Sequence, residues 1–271
     1  MVPRTYLFVP GNRPERFAKA MASGADAVVL DLEDAVAPAA KEAARAAIAT
    51  WCGELQAQER SRLVVRINEA GSPEFAEDLR LLREARVPSI MLSKAETSGQ
   101  VGAIRAACAQ AQVIALVETA KGVCDAAQVA AADGVARLAF GTLDFALDLD
   151  LDIDDSAEGL SHAAGTLALA SRLAGLPSPV AGVTPQLQDA GRLRADIAWA
   201  RRHGFGAKLC IHPAQVAPVH AQLAPTAAAI DWAQRVLAAE AASPGAAQLE
   251  GRMVDRPVVL RARSTLQRAG L

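Results

Sequence analysis

Eight short apolar runs rich in branched side chains recur along the chain: "TYLFVP" from Thr5, "AVVLDLED" from Ala27, "LVVRIN" from Leu63, "SIMLSKAE" from Ser89, "QVIALVET" from Gln112, "RLAFGTLDF" from Arg137, "SPVAGV" from Ser178 and "AKLCIHP" from Ala207. Their apolar positions are consecutive rather than alternate, the pattern of strands buried on both faces in a parallel sheet. Ala-rich stretches with helical character separate them, among them "AAKEAARAAIATWCGEL" from Ala39, "SPEFAEDLRLLREA" from Ser72 and "DAGRLRADIAWARRHG" from Asp189. Ser72 is placed to cap a helix whose first residue is Pro73, and Gly204 follows the arginines that end another. Eight strand–helix alternations predict an α/β fold of the closed (β/α)8 (TIM) barrel type. An open doubly wound sheet would call for a Gly-rich first turn, and "PGNRPERF" is not G-x-G-x-x-G. The expected organisation is a catalytic barrel over 1–222 and a short C-terminal helical extension over 223–271. After the eighth strand Ala214 to Ala242 reads as Ala-rich helix, "ASPGAAQ" as a linker and "EGRMVDRPVVLRARSTLQRAG" as a small tail element.

The chain has 271 residues, 52% of them hydrophobic and 21% charged, enough apolar material for one large core. A formal net charge of −2 without a basic block gives no nucleic-acid footprint. Arginines and prolines in "MVPRTYLFVPGNRPERF" interrupt what a signal peptide needs, and no uncharged run is long enough to span a bilayer, so a cytoplasmic protein is expected. Cys52, Cys108, Cys124 and Cys210 are scattered with no C-x-x-C pair and read as small hydrophobes.

In such a barrel the chemistry sits at the C-terminal ends of the strands. The residues falling there are Asn12 and Arg13 after the first strand, Asp31 and Glu33 on the second, Arg66 and Asn68 on the third and Lys94 and Glu96 on the fourth. Glu118 follows on the fifth, Asp144 on the sixth, Thr184 after the seventh and His212 on the eighth. Asp31 and Glu33 share one face by the two-residue period. Glu118 and Asp144 read as neighbours at equal depth, hard oxygen ligands suited to Mg2+ or Mn2+ rather than Zn2+, or equally as a structural network with Arg66 and Lys94. Arg66 can clamp a carboxylate through two parallel hydrogen bonds, which points to an acidic substrate. Lys94 reads as an ion-pair partner rather than a Schiff-base lysine, because acidic neighbours keep it protonated. Arg13, Arg16 and Lys19 either hold a phosphate or solvate a helix, and His-Pro at 212 reads mainly as a structural corner.

"YLFVPGNRPERFAKA", "ADAVVLDLEDAV", "VVRIN", "LVETAKGV", "LAFGTLDFALDL", "KLCIHPAQV" and "GRMVDRPVV" together resemble the citrate lyase beta subunit-like branch of the HpcH/HpaI aldolase superfamily, almost end to end and in order. The segments "LSKAETSGQV" and "GAKLCIHP" depart from the pattern without removing a ligand. The resemblance implies a Mg2+-dependent carbon–carbon lyase that cleaves or forms a short hydroxyacyl-CoA thioester of the citramalyl, malyl or citryl type, releasing a 2-oxo acid. It implies that Glu118 and Asp144 hold the metal, that Arg66 and Glu118 face the substrate, and that Asp31 and Glu33 orient metal-bound waters. Asp255 of "MVD" matches the catalytic acid/base, delivered to the mouth of a neighbouring subunit in a trimer, with Arg13, Arg16 and Lys19 as CoA contacts. The rival readings are a CoA-independent 2-oxo-acid aldolase and a catalytically silent partner subunit.

Overall fold

The computed structural model describes residues 2–153, 157–243, 245 and 247–271. Two compact units divide the chain, Met1–Val219 and His220–Leu271.

The first unit is a closed barrel of eight parallel strands in sequence order: β1 (Thr5–Pro10), β2 (Ala27–Asp31), β3 (Leu63–Ile67), β4 (Ser89–Leu92), β5 (Gln112–Val117), β6 (Val135–Phe140), β7 (Val180–Ala181) and β8 (Ala207–Cys210). All eight predicted strands are present. Closure comes from β1 pairing with β8, Tyr6 opposite Leu209, so no strand edge is left open. One set of positions fills the interior: Tyr6, Ala27, Val29, Val64, Met91, Ile114, Leu116, Ala139, Val180, Ala207 and Leu209 form a single cluster fed by every strand. The alternate positions, such as Leu30, Val65, Leu92 and Phe140, are equally buried on the other face. This double burial is why the runs read as continuous rather than alternating. At the end opposite the mouth, Arg137 lies over the Tyr6 ring and donates to the carbonyls of Ser178 (2.7 Å) and Pro3 (2.5 Å), satisfying a buried guanidinium.

The helices follow their sequence signals with two adjustments. Asp189 caps the helix Ala190–Arg202 by accepting from the Arg192 N–H at 2.8 Å. The helix after β3 begins at Phe75 rather than at Pro73, because Ser72 uses its hydroxyl to accept from the Glu74 N–H in a preceding turn. The single helix expected from Ala214 to Ala242 is two, Val216–Leu223 and Ala227–Ala242. Pro225 cannot continue a helix, and Thr226 starts a new one by accepting from the Ala229 N–H.

The second unit packs the helices Ala227–Ala242 and Arg256–Ala269 around Ala233, Val236, Ala247, Val254, Val259 and Ala262. Between them β9 (Gln248–Leu249) and β10 (Arg252–Met253) form a hairpin whose turn residues, Glu250 and Gly251, both have positive φ (53° and 74°). That is the handedness a two-residue hairpin prefers. Positions 244 and 246 of the expected "ASPGAAQ" linker lie outside the described residues. Among the described residues no helix is long and apolar enough to cross a membrane.

Candidate active site

In-register pairing puts Asp31 on β2 beside Arg66 on β3. The Asp31 carboxylate takes Arg66 bidentately, Oδ1 from Nε and Oδ2 from Nη2, both at 2.7 Å. The same two oxygens also accept the N–H groups of Glu33 (2.9 Å) and Ala35 (3.1 Å), so one carboxylate shapes the loop after β2 and grips the arginine. Phe8 lies beneath the guanidinium, 4.8 Å from its centre. Glu33 Oε2 stands 2.7 Å from Arg66 Nη1 but off the line of a hydrogen bond, which leaves that buried oxygen with unfilled accepting capacity. The buried Ser93 hydroxyl lies beside Glu33 and acts to lower its pKa. Burial opposes the Arg66 charge, yet Asp31, Glu33 and Glu118 hold its pKa above the usual value, so it is a permanent cation.

Glu118 follows the last residue of β5 and is 2% exposed. Its Oε1 accepts the backbone N–H of Lys94 at 2.8 Å. That N–H is aimed by a left-handed backbone at Lys94, φ 46°. Gly141 closes the other side: a Cβ there would fall 2.3 Å from Glu118 Oε2, so only glycine admits the carboxylate in this position. Burial first, then Glu33 and Asp144, push the Glu118 carboxyl up to about 8. Burial likewise lifts Glu33 to about 7, with Asp34 and Asp31 adding to the effect and Arg66 opposing it. Three carboxylates therefore crowd a buried mouth and repel one another.

The sequence placed several of these groups on strands, and the structure places them beyond: Glu118 by one residue after β5, and Asn68, Glu96 and His212 past the ends of β3, β4 and β8. Glu33 sits in the loop after β2, Lys94 in the loop after β4, and Asp144 in the first turn of the helix Thr142–Asp148 rather than on β6. The strands end earlier because the backbone turns at those points to bring the side chains together. The Lys94 ammonium lies 3.6 Å from Glu69 Oε1. Burial works against its charge, but Glu69, Glu33, Glu118 and Asp144 together hold its pKa above the ordinary lysine value. Glu96 is engaged with Thr119 and Lys121, and Thr184 with Asp196. His212 uses Nδ1 to accept the Ala214 N–H of its own turn, as a corner residue does. Arg13, Arg16 and Lys19 are exposed, Arg16 lying 3.8 Å from Glu15. Asp255, in the second unit, is exposed and caps the helix Arg256–Ala269 through the Val258 N–H at 3.1 Å.

A divalent ion fits the crowded carboxylates on chemical grounds. Glu118 and Asp144 offer hard oxygens, and a dication would offset both the burial of the Glu118 charge and the repulsion from Glu33 and Asp144 that together raise its pKa. Among the described residues no three or more His, Cys, Asp or Glu side chains are arranged to hold a metal ion by themselves, so water and substrate would complete the coordination, as Mg2+ favours.

Sequence reasoning missed Phe8, Ser93, Lys41 and Asp78 around this site. Phe8 and Ser93 read as strand residues. Lys41 sits in an Ala-rich helix beside Glu42 and reads as solvated, yet it is buried.

A closed parallel barrel with an acidic mouth built around one fixed arginine defines a (β/α)8-barrel enzyme for an anionic substrate. The chain belongs to the HpcH/HpaI aldolase/citrate lyase family, whose model matches residues 4–213. The citrate lyase subunit beta-like protein of Mycobacterium tuberculosis is 39% identical over 270 residues, covering 98% of this chain and 95% of the relative. A (3S)-malyl-CoA thioesterase of Cereibacter sphaeroides is 33% identical, covering 98% and 94%. The crystal structure of CitE from M. tuberculosis in complex with magnesium, acetoacetate and coenzyme A superposes with a TM-score of 0.88 at 39% identity, covering 99% of this chain and 98% of that one. Another structure of CitE, with magnesium and pyruvate, gives 0.78 at 34% identity, covering 97% and 98%.

Proposed function

We propose that this protein is a Mg2+-dependent carbon–carbon lyase that cleaves or forms a short hydroxyacyl-CoA thioester, with a 2-oxo acid as the second product or substrate. The observation that carries this reading is the buried Glu118, crowded by Glu33 and Asp144 beside a clamped Arg66. Glu118 and Asp144 are the residues that would hold Mg2+. Bound there, the ion would supply Lewis-acid polarisation of the 2-oxo acid carbonyl and stabilisation of negative charge on its oxygen.

Arg66, held by Asp31 and Glu33, binds the substrate carboxylate with the N–H groups its partners leave over. Phe8 and the barrel core beneath keep water from the underside of the guanidinium. In cleavage a base takes the hydroxyl proton, the carbon–carbon bond breaks and its electron pair passes to the α-carbon of the acyl-CoA, where a proton must be returned. Asp255 is the candidate for that proton, and for removing it in the condensing direction. Exposed at the N-cap of its helix, Asp255 would reach the mouth of a neighbouring subunit in a trimer. Arg13, Arg16 and Lys19 are the candidate contacts for the CoA phosphates, and a cytoplasmic location matches such substrates.

Purified protein with Mg2+ and a panel of malyl-, citramalyl- and citryl-CoA should release glyoxylate, pyruvate or oxaloacetate from at least one thioester. Mixed oligomers of Glu118→Gln and Asp255→Asn subunits should regain part of the activity that each variant lacks alone. Free CoA thiol appearing without a 2-oxo acid would identify a thioester hydrolase and overturn the lyase reading.

A further inference from the structure

A buried lysine stands behind the arginine clamp and donates to carbonyl oxygens rather than to a carboxylate. Lys41 opens the helix Lys41–Glu54 and is 7% exposed. Its ammonium donates to the backbone carbonyls of Leu32 (2.8 Å) and Glu33 (3.2 Å) and to Asn68 Oδ1 (2.6 Å), one bond for each of its three protons. Asn68 in turn donates from Nδ2 to Leu32 O (3.1 Å) and to Asp78 Oδ2 (2.7 Å), and from its backbone N–H to the same oxygen at 3.0 Å. Arg45 closes the chain on Asp78 Oδ1 at 3.0 Å. Asp78 is fully buried.

Burying an ammonium is costly, and an apolar side chain would fill the same space without that penalty. What the apolar side chain cannot do is hold two loop carbonyls in place. Leu32 and Glu33 lie between Asp31 and the Ala35 N–H that Asp31 caps, so the turn, the Asp31 carboxylate and Arg66 form one connected unit. We infer that Lys41 is a positioning residue: by pinning the Leu32–Glu33 carbonyls to Asn68 and Asp78, it fixes Asp31 and Glu33 and thereby the direction in which Arg66 meets a substrate carboxylate. This inference rests on the reading of Arg66 as the carboxylate clamp. Glu118 is anchored separately, from the Lys94 N–H.

Calorimetry with pyruvate as probe, at saturating Mg2+, separates this role from a merely structural one. Lys41→Met should weaken pyruvate binding on the order of 10- to 100-fold, the effect of misplacing a binding group by about 1 Å. Mg2+ affinity should stay within about twofold of wild type, because the Glu118 anchor is untouched. In an Arg66→Lys background, where the clamp is already lost, adding Lys41→Met should change pyruvate affinity by less than about twofold. Should Lys41→Met fail to fold, Lys41→Gln and Asn68→Ala are read on the same scale, each predicted to weaken pyruvate binding while sparing Mg2+. Unchanged pyruvate affinity in the folded variants, losses of pyruvate and Mg2+ binding in equal proportion, or full additivity with Arg66→Lys would each overturn the inference. An Arg66→Lys protein that binds pyruvate as wild type does would instead refute the clamp on which it rests.

Discussion

Replacing Asp31 by Asn is the sharpest perturbation of the clamp. The two side chains are the same size, so no cavity forms and the change is in charge and bonding alone. Asp31, 1% exposed, serves four donors: Arg66 Nε and Nη2 and the backbone N–H groups of Glu33 and Ala35. An asparagine offers one accepting oxygen and turns an N–H2 group toward one guanidinium N–H and one backbone amide, leaving a buried cation with Glu33 at 2.7 Å and Asp34 at 3.8 Å as its remaining close carboxylates. Breaking a buried pair from one side costs about 3–5 kcal/mol. At about 2–4 °C of melting temperature per kcal/mol for a domain of this size, the midpoint should fall by about 6–20 °C. Because Arg66 would also lose its orientation, kcat/KM for the acyl-CoA substrate should drop by about 100-fold or more. Thermal denaturation by circular dichroism and steady-state kinetics at saturating Mg2+ read the two effects. A variant melting within 2 °C of wild type, on the ~2–4 °C per kcal/mol scale, would show that the buried pair does not hold this loop.

The raised carboxyl of Glu118 gives the metal-free protein a pH dependence of definite sign. Its folded pKa of about 8 lies above the ordinary 4.5, so its contribution to stability is full below 4.5 and is lost as pH rises toward 8. In EDTA, Glu118→Gln should remove much of that decline, leaving the part due to Glu33; denaturant midpoints between pH 5 and 8 measure it, and equal slopes in the two proteins would contradict the burial argument. With metal present, Mg2+ affinity should tighten across the same interval as the competing proton leaves. Gly141→Ala would set a methyl group 2.3 Å from Glu118 Oε2. Mg2+ affinity by calorimetry should fall at least about tenfold with the barrel intact, since a ligand must be held in place to bind; unchanged affinity would mean that Glu118 is not a ligand.

The barrel was legible in the sequence because each strand is buried on both faces and shows as an unbroken apolar run, as at Val28–Leu30 and Val113–Val117. Arg66, Glu118 and Asp31 were legible for the same reason, each a charge at the end of such a run. The break at Pro225 was missed: a proline followed by a capping threonine marks it, but alanine on both sides made the stretch read as one helix. Less legible were the turns that complete the site. Glu33, Lys94 and Asp144 depend on where the chain leaves its strand, and this is set by contacts such as the Asp31 cap on Ala35 and the left-handed backbone of Lys94. Lys41 was not legible at all, because its partners are backbone carbonyls and an asparagine 27 residues away, and a two-residue shift along its helix would have left it solvated.

The central claim is that Glu118 and Asp144 hold the divalent ion on which carbon–carbon cleavage depends. Mg2+ titration of wild type, Glu118→Gln and Asp144→Asn by calorimetry, paired with release of the 2-oxo acid from the best thioester of the panel, tests it most directly. The account predicts one Mg2+ site per wild-type chain, its loss in both folded variants, and turnover that disappears with it and in EDTA. Mg2+ binding retained in Glu118→Gln, or turnover surviving EDTA, would contradict it.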